Sequence, residues 1–460
     1  MVRTLVAGID SSTQQTKLVV VDAATGTLVR SSALPHPDGT EIDPEHWWAA
    51  LRGVGGTRLA DVSAVSVAAQ QHTTIFLDEE GASVRDAILW NDARATSAAE
   101  ALRGELGDDA WLAGPGLLPD AAHPVSKLRW LADHEPDVAA RVHRVLLPHD
   151  WLTWRLLGCR REPVTDRSDA SATGYWSAGA GAYAPDLARR ALGHDLRLPD
   201  VRAVDDVVGV TSNGVMVGVG AGDNAATHLA LDTKPGDVVV SIGTSATVSM
   251  RCDAPAHDPG SLIDTMADTR GGFIPIVAML NGARVLSATA RMLGVTLEKL
   301  DALATEGEPG ADGIMLVPFL DGERNPRAGH ATGALTGLSR HAMTPANIAR
   351  ASVLGVACSV VQAIDALTAH LGEPGRILLV GGGARSSAMR QAITDVAGRE
   401  TEWPEHREHA AFGAARQAAW ALIGGAPDWG PLAMAKHVPA AERAWVDEVR
   451  ARYRDAAGRV

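Results

Sequence analysis

The chain of 460 residues is poor in cysteine, in aromatic side chains and in lysine. Its three cysteines, Cys159, Cys252 and Cys358, are odd in number and widely spaced with no C-x-x-C pair, which excludes a disulfide framework and a zinc knuckle. Only five of the 42 Lys+Arg are lysines, and 55 Asp+Glu leave a net charge of −13. Such a field repels nucleic acid and anionic membranes, so neither is expected as a partner. A phosphate-rich ligand needs a metal ion, a lysine or converging N–H groups to override it. No apolar stretch reaches the roughly 18 residues of a membrane-spanning helix. Met1–Asp10 carries one arginine and an apolar run too short for a signal peptide, so a reducing cytoplasm is the expected location. What remains, 46% hydrophobic and 21% charged residues, is ordinary globular composition with length for two or three domains.

Short apolar runs at Leu5–Ile9 and Leu18–Val21 predict a β-hairpin whose connection is Asp10–Lys17, with a further strand from Leu28. Val62–Ala69 and Thr74–Leu77 read as strands, and Ala95–Leu157 turns helical, with apolar residues three and four apart. Val238–Ile242, a small polar loop and Ala246–Met250 repeat the strand, loop, strand order of the N-terminus. The halves therefore read as a diverged duplication, divided at residues 1–213 and 214–460. Thr344–His370 predicts a long helix, followed by the strand Ile377–Val380, Gly381-Gly-Gly-Ala384 and a helix to Ala397. His409–Leu422 reads as an alanine-rich helix, and Pro427–Val460 as a solvent-facing terminal one.

Common nucleotide and hydrolase motifs are missing. There is no G-x-x-x-x-G-K-[ST], no HExxH and no G-x-S-x-G, and Gly218-Val-Gly-Ala-Gly222 lacks the third glycine of a dinucleotide fingerprint. Three other loops can receive phosphate. Asp10–Lys17 combines a carboxylate, four hydroxyls and a lysine, suited either to Mg²⁺ and phosphate or to an ordinary Asx turn. Ser241-Ile-Gly-Thr-Ser245 and Gly381-Gly-Gly-Ala384 expose backbone at strand ends, which serves tight turns as well as ligands. Asp223 follows a glycine-rich strand and opens a helical segment, as a helix cap or as a general base.

Taken in order, Gly8-Ile-Asp-Ser-Ser-Thr13, Gly220-Ala-Gly-Asp-Asn-Ala-Ala226, Ser241–Ser245 and Gly381–Ala384 resemble the phosphate, connecting and adenosine motifs of the FGGY carbohydrate kinases, most closely the xylulokinase branch. Gln70-Gln-His72, Ile88–Asp92, Leu147-Pro-His-Asp-Trp151, Thr165–Ser171 and Gly322–Pro326 add secondary matches, so the resemblance spans residues 5–422. It implies an α/β fold of two actin-like (RNase H-like) domains with the active-site cleft between them. It also implies ATP-dependent phosphorylation of a ketose hydroxyl, with D-xylulose the leading substrate. Ribulose, gluconate, a polyol or glycerol, or a sensor without catalysis, remain as alternatives.

The resemblance assigns Mg²⁺ to Asp10, the terminal phosphates to Thr13 and Lys17, and the phosphate chain to Gly243 and Thr244. It assigns the nucleotide to Gly282, Gly382, Gly383 and Ser387. Asp223 is expected as the base, with Gln71, His72 and Asn224 on the sugar. Many bacterial members read Gln-Met-His-Gly where this chain has Gln70-Gln71-His72-Thr73, so Gln71 and Thr73 are expected to add polar groups to the sugar wall. A homodimer is compatible with the apolar helix faces.

Overall fold

Leu5–Ser11 (β1) is buried at every position, as a central strand covered on both faces must be. The computed structural model describes residues 3–256, 258, 263–326, 328–404 and 408–460, and places β1 in the middle of the first of two large sheets. Gln15–Asp22 (β2) pairs antiparallel with β1, and Leu28–Pro35 (β3) with β2. On the other side Ala64–Ala69 (β4) runs parallel to β1, followed by the outer pair Val207–Val210 (β5) and Met216–Gly218 (β6). Ala221–Gly222 (β7) pairs with the end of β4. The expected connection was too long: β1 continues through Ser11 and β2 begins at Gln15, so Lys17 lies directly across from Asp10.

Alternation along β1 sorts the core. Leu5, Ala7 and Ile9 join Leu18, Val20 and Trp47 on one face, whereas Val6 joins Val19, Ala411, Phe412, Ala415 and Ala418 on the other. The second face belongs to the helix His409–Ile423, which approaches so closely that a Cβ on Gly8 would lie 1.9 Å from the Ala411 carbonyl oxygen. Asp10 has the parity of Val6 and Gly8, so it emerges beside the start of this helix. The helix Asp223–Ala230 packs on the same alanine-rich surface, with Gly413 against the Ala226 carbonyl.

The second sheet has the same plan. Val238–Ile242 (β8) pairs antiparallel with Ala246–Met250 (β9), β9 with Ile276–Met279 (β10), and β8 runs parallel to Ile377–Val380 (β11). Thr401–Pro404 (β12) continues in parallel, and Met434–His437 (β13) closes the edge antiparallel. In both sheets the first strand has its hairpin partner on one side and a parallel strand on the other, which is the duplication expected from sequence.

The division of the chain is more interleaved than a cut at residue 213. One unit comprises Met1–Thr233, Asp253–Ile274 and Arg407–Pro431, and the other Lys234–Cys252, Pro275–His406 and Leu432–Val460. The physical reason is pairing: β6 and β7 hydrogen-bond to β4, so residues 214–222 belong to the first sheet.

Two further expectations change. Pro345–Leu371 is long and apolar enough to cross a membrane by length and composition, but 78% of its apolar window is buried within the protein, and it forms the central helix of the second unit. Thr344 caps it by accepting from the Asn347 N–H, and Pro345 occupies its first turn, where no donor is needed. The segment after Pro427 supplies β13 as well as the helix Ala444–Ala457, which buries Val446, Val449 and Tyr453.

Candidate active site

In the first unit the hairpin end and the helix 223–230 gather the carboxylates. Lys17 Nζ lies 3.4 Å from Asp10 Oδ2 and 2.8 Å from Glu408 Oε2. Burial alone would lower the Lys17 pKa, but the Asp10 and Glu408 carboxylates outweigh it and raise it, so Lys17 is a fixed cation. Burial raises the Asp10 pKa, with Lys17 opposing. The other Asp10 oxygen, Oδ1, is buried and has no hydrogen-bond partner among the described residues. An orphaned carboxylate oxygen at a strand end fits a hard cation or one of its waters, so the donor set accommodates Mg²⁺.

Thr13 lies on the short turn. Its Oγ1 donates to Gln70 Oε1 at 3.3 Å and accepts from the Trp90 indole N–H at 2.8 Å. Trp90 therefore holds the turn, a role that its place in Ile88–Asp92 did not disclose.

Asp223 is the first residue of its helix, with Gly222 as the cap. Its Oδ1 accepts from the Asn224 backbone N–H at 2.8 Å and from Asn224 Nδ2 at 3.1 Å. Burial raises its pKa to about 8, the Asp10 and Asp169 carboxylates add to the rise, and the Asn224 N–H and Lys17 only partly oppose it. At neutral pH it sits near the balance point required of a general base. The helix-cap reading gives way, because the side chain is spent on its own neighbour and not on the N–H groups of the next turn.

His72 and Gln71 take different positions. His72, at φ 63°, donates its Nδ1–H to the Ala172 carbonyl at 2.9 Å, which fixes the tautomer and leaves Nε2 as the accepting nitrogen. Gln71 is 3% exposed; its Nε2 donates to the Ser168 carbonyl at 3.1 Å and its Oε1 accepts from Asn224 Nδ2 at 2.9 Å. Thr73 Oγ1 donates to Gln70 Oε1 and accepts from the Trp90 backbone N–H. Both positions expected to add polar groups to a sugar wall are thus engaged by the protein itself.

The second unit brings its glycines together. Gly243 and Thr244 form the exposed turn between β8 and β9. Gly282 donates its N–H to the Thr244 carbonyl at 3.1 Å, and a Cβ there would lie 2.4 Å from the Ser245 carbonyl oxygen. Gly381, at φ +88°, and Gly383 both press on Ile242, whereas Gly382 is exposed with nothing within 4 Å of an added Cβ. Ser387 opens the helix Ser387–Ala397 and donates to Asp301 Oδ2 at 2.9 Å.

Sequence reading missed Asp301, and it gave no role to Glu323, which lies within the Gly322–Pro326 match. The latter is 1% exposed; its Oε1 accepts from the Leu280 and Arg324 N–H groups and its Oε2 from Asn281 Nδ2, fixing the loop before Gly282. Asp301 lies 86 positions from Ser387, and Glu323 lies 43 and 42 from Leu280 and Asn281, so no local pattern marks either role.

The profile of the FGGY family of carbohydrate kinases, N-terminal domain, matches residues 5–230, and that of the C-terminal domain matches residues 238–422. The chain is 41% identical over 437 residues to a xylulose kinase of Streptomyces coelicolor, covering 91% of this chain and 88% of that one. It is 30% identical over 422 residues to the xylulose kinase of Escherichia coli, covering 86% and 85%. Among solved structures it resembles the xylulose kinase from Bifidobacterium adolescentis, with 36% identity, a TM-score of 0.86 and coverage of 98% and 99%. A gluconate kinase from Lactobacillus acidophilus, at 19% identity and a TM-score of 0.89, shares the fold. This chain belongs to the FGGY family of carbohydrate kinases.

Proposed function

We propose that the protein transfers the γ-phosphoryl group of ATP to a hydroxyl of D-xylulose, giving D-xylulose 5-phosphate and ADP. The observation that carries the mechanism is Asp223, a helix-opening carboxylate with a pKa of about 8 in the same unit as the Asp10–Lys17 pair. Asp223 takes the hydroxyl proton as the new O–P bond forms and the bond to the ADP oxygen breaks. Alignment and charge neutralisation dominate such a loose transition state, so orienting the hydroxyl matters as much as basicity.

Asn224 and His72 face the sugar, and Asp10 holds Mg²⁺, which neutralises phosphate charge when bound. Lys17 and Thr13 serve the terminal phosphates. The exposed backbone of Gly243–Thr244 and Gly382, with Gly282, Gly383 and Ser387, serves the nucleotide. Xylulose is favoured over other acceptors by the named activity of the relatives. The polar departures at Gln71 and Thr73, which pointed to another sugar, are absorbed by internal hydrogen bonds. The three cysteines, none in a disulfide among the described residues, fit a reducing cytoplasm.

The test is ADP release measured across ketoses, aldoses, polyols and sugar acids, with and without a chelator. D-xylulose is expected to give the highest kcat/KM, and chelation to abolish turnover. A better acceptor would displace xylulose, and no sugar-dependent ADP at all would favour a sensor.

A further inference from the structure

Beneath Asp223 lies a buried charged cluster that the reaction as described does not use. His149 is 0% exposed. Its Nδ1 donates to Asp169 Oδ2 at 2.5 Å, and its Nε2 lies 3.2 Å from Asp150 Oδ1 and 4.0 Å from Asp166 Oδ1. Burial would strip the ring of its proton, but Asp150 and Asp169 outweigh that and hold its pKa at about 10. These side chains place ligand atoms within 4.8 Å of one another. An imidazolium is not a metal ligand, however, and it answers the carboxylates itself.

The cluster is connected upward. Asp166 accepts from the Ser168 and Asp169 N–H groups and from Ser168 Oγ at 2.8 Å, capping the short helix Arg167–Ser171. Ser168 then makes two bonds toward the base. Its Oγ accepts from the Gly222 N–H at 3.0 Å, and its carbonyl accepts from Gln71 Nε2 at 3.1 Å. Gln71 Oε1 accepts from Asn224 Nδ2, which also donates to Asp223 Oδ1.

The backbone before Asp223 is clamped by the same groups. A Cβ on Gly220 would lie 2.4 Å from the His149 ring, and one on Gly222 would lie 2.5 Å from the Gln71 amide. Every member is fixed by packing or by a hydrogen bond, the condition for a preorganised site.

We propose that Ser168 and Gln71 are positioning residues, carrying the fixed geometry of the buried His149–aspartate core to Asn224 and Asp223 so that the base is oriented before the sugar arrives. Gln71 acts through Asn224, since among the described residues its side-chain bond toward the site ends on that amide. Ser168 acts through Gly222 and Gln71. The inference rests on Asp223 being the base.

The experiment is a double-mutant cycle on sugar phosphorylation. Gln71→Met keeps the volume and removes both hydrogen bonds; it should lower kcat about 10-fold, the worth of one to two hydrogen bonds, while the ATP KM moves less than about twofold. In an Asn224→Ala background the same substitution should cost less than about twofold, because the coupling runs through that amide. Ser168→Ala, which breaks the other end, should lower kcat similarly and leave slow sugar-independent ATP hydrolysis unchanged. It also keeps the proposal testable if Gln71→Met folds poorly.

Equal losses from Gln71→Met in both backgrounds, no loss in either, or a parallel fall in sugar-independent hydrolysis would overturn the positioning role. Asp223→Ala, measured alongside, separates the two readings. Near-normal turnover in Asp223→Ala removes the base itself, whereas a dead Asp223→Ala with an additive cycle removes only the positioning.

Discussion

The base chemistry proposed for Asp223 depends on where its side chain sits. A carboxylate in water has a pKa near 4 and scarcely binds an alcohol proton. Burial, with the Asp10 and Asp169 charges, brings this one to about 8, so it is protonated below that pH and competent above it. The kcat/KM for sugar should therefore rise with pH through an acid limb between about 7 and 8, and flatten above. Asp223→Asn should remove the limb and cut kcat by roughly 10²–10⁴, with ADP affinity retained in calorimetry. A wild-type profile flat from pH 6 to 9 would contradict the assignment. None of this is legible in sequence, where Asp-Asn at a helix start serves equally as a cap. The raised pKa comes first from burial and then from Asp10 and Asp169, 213 and 54 positions away in the chain.

At the scale of elements, the helix 409–423 can approach β1 because both surfaces are stripped to glycine and alanine. Gly8 meets the Ala411 carbonyl at 1.9 Å from a would-be Cβ, and Gly413 meets that of Ala226 at 1.8 Å. The clash is with backbone, which cannot rotate away. Gly8→Ala should therefore destabilise the protein by about 3 kcal/mol or more, the upper range for overpacking. Gly104 provides the contrast. It lies exposed inside the helix Thr96–Leu106 with nothing within 4 Å of an added Cβ, so Gly104→Ala should stabilise by about 0.5–1 kcal/mol. Denaturant unfolding of both variants checks the pair, and a tolerated Gly8→Ala would refute the close approach. The hairpins and the helix 345–371 were legible, since period and capping are local signals. The extent of β1 and β2 was not: polar residues at 10, 11 and 15–17 read as a loop, but cross-strand pairing and burial make them strand.

The whole molecule carries a net charge of −13, yet its buried cluster works in the opposite sense, by storing protons. His149 at about 10 binds a proton in the folded state that the unfolded chain releases above about 6.5. Asp150 is raised by burial to about 7, with His149 opposing, and Asp223 to about 8; both also hold protons that the unfolded chain has lost. With more protons bound when folded, stability falls as pH rises. The unfolding temperature should decline steadily from pH 7 to 10, and His149→Gln should flatten that decline. Calorimetry showing a wild-type temperature that is constant or rising over this range would contradict the buried imidazolium.

By itself the sequence determined the family, the duplicated strand order and the set of glycine and carboxylate motifs. Each is a short, local pattern, and together they kept the order of the FGGY motifs. Tertiary structure decided which of those residues are free to act. It spent the Gln71 and Thr73 side chains inside the protein, gave Lys17 to Asp10 and Glu408, and returned residues 407–431 to the first unit. It also joined His149, Asp166 and Ser168 to Gln71, Asn224 and Asp223 across more than 150 positions, because hydrogen-bond partners and burial are set by packing, not by spacing in the chain.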